Sequence, residues 1–225
     1  TGASAGIGEA CAREFAKSGS NLVLAARRME RLEQLKNELL SENPSIKIHT
    51  HQLDVRDKSS VDSLVPSLPT ELKEIDILIN NAGLVIGMDK IEDISSDAID
   101  TMIDTNVKGL LYVTQAILPG MKERQKGHII NIGSVSGKQA YANGGVYCAS
   151  KHAVNAISRA LLQEFGGDKS RADKVYEGIK PLSGEDIAET VVFAASRPDH
   201  VNIADVLIYP VNQASVFHFH RPYAK

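Results

Sequence analysis

The stretch "TGASAGIGEACAREFAKSGSNLVLAARR", residues 1–28, decides the fold. Glycines stand at positions 2, 6 and 8, a helix-forming run follows, and "NLVLAA" (21–26) then reads as a buried strand. Glycine has no Cβ, so it permits a tight turn and lets backbone amides approach a pyrophosphate at a helix N-terminus. The spacing is G-x-x-x-G-x-G rather than the commoner G-x-G-x-x-G. Glycine-rich turns before helices also serve packing. The strand of the right length after the helix is what favours a dinucleotide here.

The end of that strand carries the next signal. Dinucleotide-binding folds often place an acid about 20 residues beyond the glycines to hold the ribose hydroxyls. Here the positions are Ala26, Arg27 and Arg28. A carboxylate would repel a 2′-phosphate, whereas a guanidinium fork would bind it. The reading is therefore NADP rather than NAD. Read without a ligand, the two arginines simply open a solvated helix.

Working outward, apolar runs and helical segments alternate. "RRMERLEQLKNELLSEN" (27–43) spaces Leu32, Leu35 and Leu39 on one helical face, and "IKIHTHQL" (46–53) alternates as a strand. A short helix interrupted near Pro66, a strand at 75–80, a long helix over 97–118 with Pro119 near its end, and a strand at 127–134 follow. Next come a helix at 146–165, a helix opened by the capping pair Ser183 and Asp186, and a strand at 204–210. Such alternation predicts an α/β fold: one Rossmann-like, doubly wound parallel sheet with helices on both faces, forming a single domain over residues 1–225. Ligands of such sheets bind beyond the carboxyl ends of the strands.

Composition bounds the function. The chain is 43% apolar and 24% charged with net charge −3, which favours neither nucleic acid nor a membrane surface. No apolar run approaches the ~18 residues of a membrane span. Cys11 and Cys148 both fall among small residues in helical stretches and read as buried thiols in a reducing, cytoplasmic compartment. His49 and His51, like His218 and His220, alternate on a strand face; without convergent carboxylate or cysteine ligands they read as solvated side chains, and no metal is expected. The acidic run around 89–104 reads as a helix start and a solvated face.

Within "GGVYCASKHAV" (144–154), Tyr147 and Lys151 are four residues apart, one turn apart on the same helical face, among small residues that leave room for close approach. The plain reading is a tyrosine and a lysine on a surface helix; the chemical one is a phenol beside an ammonium as an acid–base pair. A phenol titrates near 10, too high for an efficient base at neutral pH, and a nearby positive charge favours its ionised form.

The turn "TGASAGIG" (1–8), "NNAG" (80–83), "TNVKG" (105–109), "INIGSVSG" (130–137) and "YCASK" (147–151), in this order, resemble the short-chain dehydrogenases/reductases over almost the whole chain. That resemblance implies a catalytic set of Ser134, thirteen residues before the tyrosine, with Tyr147, Lys151 and Asn106. It implies cofactor contacts from Gly2, Ser4, Gly6, Ile7 and Gly8 in the turn and from Arg27 and Arg28. It adds Asp54 and Val55 at the adenine, Asn81, Ala82 and Gly83 at the next strand end, and Tyr147 and Lys151 at the nicotinamide ribose. In these terms Ser134 orients the substrate oxygen, Tyr147 carries the proton, and Asn106 holds a water joining Lys151 to solvent. Within the family, "LAARRMERLEQL", "QLDV" and "DVLIYPVNQAS" resemble the NADP-dependent dehydrogenases of small 3-hydroxy acids, of the serine and allo-threonine type. The implied partners are a small-molecule substrate and further copies of the chain, as a homodimer or homotetramer.

The pattern departs in one place. The family has a strand and a flexible substrate loop after the Tyr–Lys helix; here "GGDKSRADKVYEGIKPLSGED" leads directly into another helix. A real deletion would unpair backbone groups in the sheet. The expectation is that the residues read here belong to a longer chain, whose start lies upstream of Thr1. A general carbonyl reductase, or an NADP-binding sensor without turnover, stays open beside the leading reading.

Overall fold

The computed structural model of the protein describes residues 1–166, 211, 213–215 and 218–219. These fall in two compact units, Thr1–Gln163 and Glu164–Lys225. The first opens with α1 (Gly6–Lys17), β1 (Leu22–Ala26), α2 (Met29–Glu42), β2 (Ile48–Gln52) and α3 (Lys58–Ser67). It continues with β3 (Ile77–Asn80), α4 (Ser96–Ile103), α5 (Leu110–Glu123), β4 (His128–Asn131) and α6 (Gly145–Gly166), which crosses the boundary. In the second unit β5 (Gln213–Ser215) pairs antiparallel with β6 (His218–Phe219). The helix expected after Ser183, the strand expected at 204–210, the stretch after Gly166 and His220 lie outside the described residues.

The alternation fixes two layers. Leu24 and Ala26 of β1 pack with Leu32, Leu35 and Leu39 of α2 and with Ala12 and Ala16 of α1. Ala25, pointing the other way, packs with Val61 and Leu64 of α3 and with Val113, Ile117 and Met121 of α5. Successive strand residues face opposite sides, so β1 is covered on both faces, as a doubly wound sheet requires.

Pairing is parallel, β1 with β2 and β3 with β4. The described strands form two separate two-stranded sheets rather than one continuous sheet. Between the facing edges of β1 and β3 lies a cavity of about 480 Å³, lined among others by Leu22, Val23, Ile77 and Ile79. Residues 1–3 span its carboxyl end: the Thr1 nitrogen donates to Ile79 O at 2.8 Å and the Ala3 amide to Ala25 O at 3.3 Å.

The long helix differs from the expectation in two ways. A six-residue π-helical turn, Asp104–Gly109, separates α4 from α5. The helix also runs past Pro119 to Glu123. Proline removes one helical hydrogen bond, while the next turn is anchored by Met121, 1% exposed in the core. Of the two cysteines expected to be buried, Cys148 is and Cys11 is half-buried.

Candidate active site

At the carboxyl ends of β1, β3 and β4 opens a cavity of about 490 Å³. The sequence-predicted residues Gly2, Ser4, Ile7, Arg27, Arg28, Asp54, Val55, Asn81, Ala82, Gly83, Tyr147 and Lys151 all line it. Gly6, Gly8, Asn106 and Ser134 do not. The sequence reading missed Leu84, Val85 and Thr105 on one side and Ile132 and Gly133 on the other. Leu84 and Val85 sit one and two residues beyond "NNAG", where a chain leaving a strand end must still skirt the ligand, whereas Thr105, Ile132 and Gly133 lie within "TNVKG" and "INIGSVSG", beside the residues singled out from them.

The glycine turn is built by close approach. Gly2 and Gly6 have φ of +67° and +58°, where side chains are strained. A Cβ on Gly8 would overlap the Gly2 carbonyl oxygen and lie 2.5 Å from Asn81 Nδ2. Asn81 Nδ2 donates to Thr1 O at 3.0 Å, and Thr1 Oγ1 accepts from the Asn81 and Ala82 amides at 3.1 Å each. Turn and β3 end are thus one hydrogen-bonded unit, and Gly6 and Gly8 shape the site from behind its wall.

The arginines differ. Arg28 donates to Ser4 Oγ at 3.0 Å and Ser4 O at 3.3 Å, tying the β1 end to the glycine turn. Arg27 is exposed, and its side chain donates to no other described residue. Asp54 holds Arg56 through Nη2 at 2.6 Å, and that bond keeps its carboxyl below the ordinary 3.8.

At the other end stand Tyr147 and Lys151 on α6. The Lys151 ammonium lies 5.9 Å from the Tyr147 ring centroid and donates to Ile132 O, just past β4, at 3.0 Å. Only 7% exposed, Lys151 has its pKa pushed below the ordinary 10.5 by burial. Asn106, 2% exposed in the π-helical turn, accepts from the Leu84 amide at 2.8 Å and donates to Leu84 O at 2.8 Å and Ser150 Oγ at 3.0 Å. Its side chain clamps the strand exit to α6, so both of its N–H donors are used. A Cβ on Gly83 would lie 3.3 Å from Asn106 Oδ1 and 3.6 Å from Lys151 Nζ, so the glycine leaves these two groups close. Ser134 caps a short 3₁₀ turn, Val135–Gly137, accepting from the Ser136 amide at 3.1 Å. Beside Tyr147 a void of about 10 Å³ shares Val85 and Tyr147 with the lining of the large cavity and is walled by Ile86, Ile94 and Met102. It has room for about one water-sized group.

The model of the short chain dehydrogenase family matches residues 1–179. The chain belongs to the short-chain dehydrogenase family. An NADP-dependent 3-hydroxy acid dehydrogenase of Schizosaccharomyces pombe is 40% identical over 249 aligned positions, covering 100% of this chain and 96% of the relative. Those 249 positions exceed the 225 residues here, so the relative has positions that this chain lacks. The NADP-dependent 3-hydroxy acid dehydrogenase YdfG of Salmonella typhi is 42% identical, covering 95% of this chain and 94% of the relative. A solved serine dehydrogenase, in its closed form complexed with NADP+, superposes with a TM-score of 0.68 at 40% identity, covering 95% of this chain and 94% of that one. This short-chain dehydrogenase is therefore an α/β oxidoreductase. Among its described residues no helix is long and apolar enough to cross a membrane.

Proposed function

We propose that this short-chain dehydrogenase oxidises small 3-hydroxy acids with NADP, using Tyr147 as the acid–base group. The observation that carries the reading is the single cavity that joins the Gly2 turn and Arg27 at one end to Tyr147 and Lys151 at the other.

The residues fit the cofactor. The turn around Gly2 and Gly8 is too close for side chains and presents the start of α1, a site suited to a pyrophosphate. The β1 end offers two guanidinium groups and no carboxylate, which suits a 2′-phosphate. Asp54 and Val55 line the stretch assigned to the adenine.

When bound, the nicotinamide supplies the hydride acceptor. The chain supplies the rest. Tyr147 takes the proton from the carbinol oxygen, and the positive charge of Lys151 stands beside the ring as that proton leaves. Ile132 O holds the ammonium in place. Proton transfer of this kind is worth about 10²–10⁴ in rate. Ser134, next to Gly133 in the cavity wall, is assigned the substrate oxygen by its match to the family's serine. Asn106 acts by its clamp between Leu84 and Ser150, which keeps the strand exit and α6 together; the water-holding role is left to its remaining acceptor lone pair and its backbone.

The substrate class is supported by the 40–42% identical relatives named for 3-hydroxy acids. The test is NADPH formation from NADP with L-serine, L-allo-threonine and 3-hydroxybutanoate, with a simple secondary alcohol as control. Faster turnover on the hydroxy acids supports the reading. Turnover confined to the simple alcohol would remove the substrate class, and no turnover on any would favour a sensor.

A further inference from the structure

We propose that Ser136 is a positioning residue that delivers the Ser134 hydroxyl proton to the substrate oxygen. The inference rests on the reading of Ser134 as the residue that meets that oxygen. Ser136 is 4% exposed, and its hydroxyl has one partner among the described residues, Ser134 Oγ, at 3.1 Å. Ser134 is half-buried and also accepts from the Ser136 amide at 3.1 Å. Both contacts arise from the same tight turn, Val135–Gly137, which folds Ser136 back over Ser134.

Each hydroxyl carries one proton and two lone pairs. Ser134 donates to Ser136 in the structure. A pair at this separation also holds with donor and acceptor exchanged, because only the O–H bonds rotate. A carbinol or carbonyl oxygen at Ser134 selects the exchanged arrangement. Ser136 then donates to Ser134, so its buried proton gains an acceptor. Both lone pairs of Ser134 are filled, one by the Ser136 amide and one by the Ser136 hydroxyl. Its single proton is left for the substrate oxygen, and the chain of hydrogen bonds polarises it. Without the Ser136 hydroxyl, Ser134 keeps its amide bond but rotates freely between donating and accepting.

The experiment is a double-mutant cycle on the full chain with Ser134→Ala, Ser136→Ala and the pair, using the hydroxy acid that the wild type turns over fastest. Ser136→Ala is expected to lower kcat about 3–10-fold, as the loss of one hydrogen bond would, with NADP affinity and melting temperature nearly unchanged. In the Ser134→Ala background the same change is expected to leave kcat alone, because Ser136 acts only through Ser134. Ser136→Cys, similar in size and a weak donor, is expected to fall between wild type and alanine. It gives the same comparison if the alanine variant folds poorly. An unchanged kcat in Ser136→Ala, or an equal loss in both backgrounds, overturns the inference while leaving Ser134 in its role. An unchanged kcat in Ser134→Ala overturns the reading of Ser134 and this inference with it.

Discussion

Arg27 and Arg28 are neighbours in sequence and do different work. Arg28 is bound to Ser4 through both the hydroxyl and the carbonyl, so it belongs to the glycine turn as much as to the cavity. Arg27 lines the cavity without donating to another described residue, and the proposed function assigns its fork to a phosphate. Arg27→Ala is expected to weaken NADPH binding by about 1.5–3 kcal/mol, the worth of a charged hydrogen bond, and to leave NADH nearly unaffected. Arg28→Ala is expected to weaken both cofactors, because it also loosens the turn at Ser4. Fluorescence titration with each cofactor separates the two. Equal losses of NADPH and NADH in Arg27→Ala would contradict the assignment. Sequence alone offered the pair as a unit; only the fold divides them, because the bond to Ser4 spans 24 residues of chain.

At the scale of elements, the strands and the amphipathic helices were legible because their hydrophobic periods are unbroken. Leu32, Leu35 and Leu39 lie on one buried face of α2, and the residues of β1 alternate between two clusters. What was not legible is the π-helical turn between α4 and α5. Its cause is tertiary: Asn106 is pulled toward Leu84 and Ser150, and Gly109 lets the helix approach Val55. An asparagine and a glycine inside a helical run were the available signal. Most of the site was legible because its motifs stand at strand ends, where the fold brings distant segments together. Ser134 and Asn106 are exceptions: their positions could be read, but the bond of Ser134 to Ser136 and those of Asn106 to Leu84 and Ser150 could not. Gly109→Ala tests the close approach. Alanine is worth about 1 kcal/mol over glycine within a helix, but its Cβ would lie 2.8 Å from Val55 Cβ, and overpacking costs about 1–3 kcal/mol. A net destabilisation is expected in urea unfolding; stabilisation would show that the contact yields easily.

For the whole molecule, pH and assembly give two checks before function. His51 on β2 has its pKa held below the ordinary 6.5, first by burial and then by the charge of His49. The unfolded chain therefore takes up a proton that the folded chain resists. That stability is present above pH 6.5 and is lost as pH falls through the lowered folded value. His51→Gln is expected to flatten the drop in unfolding free energy between pH 7.5 and 5.5, and an unchanged slope would contradict it. The expected assembly is a symmetric dimer or tetramer, through α5 and α6, where Leu111 and Leu118 are half-buried and Ala149 and Ala156 exposed. Light scattering that shows a monomer at micromolar concentration would count against it. The central claim, that the cavity is an NADP site whose proton passes through Tyr147, has one direct measurement. Tyr147→Phe keeps the ring and removes the only group assigned to carry that proton. NADP affinity and NADPH formation from a 3-hydroxy acid are measured on wild type and variant. The account predicts retained NADP binding with turnover lowered by at least about 10²-fold. Undiminished turnover in Tyr147→Phe would contradict it.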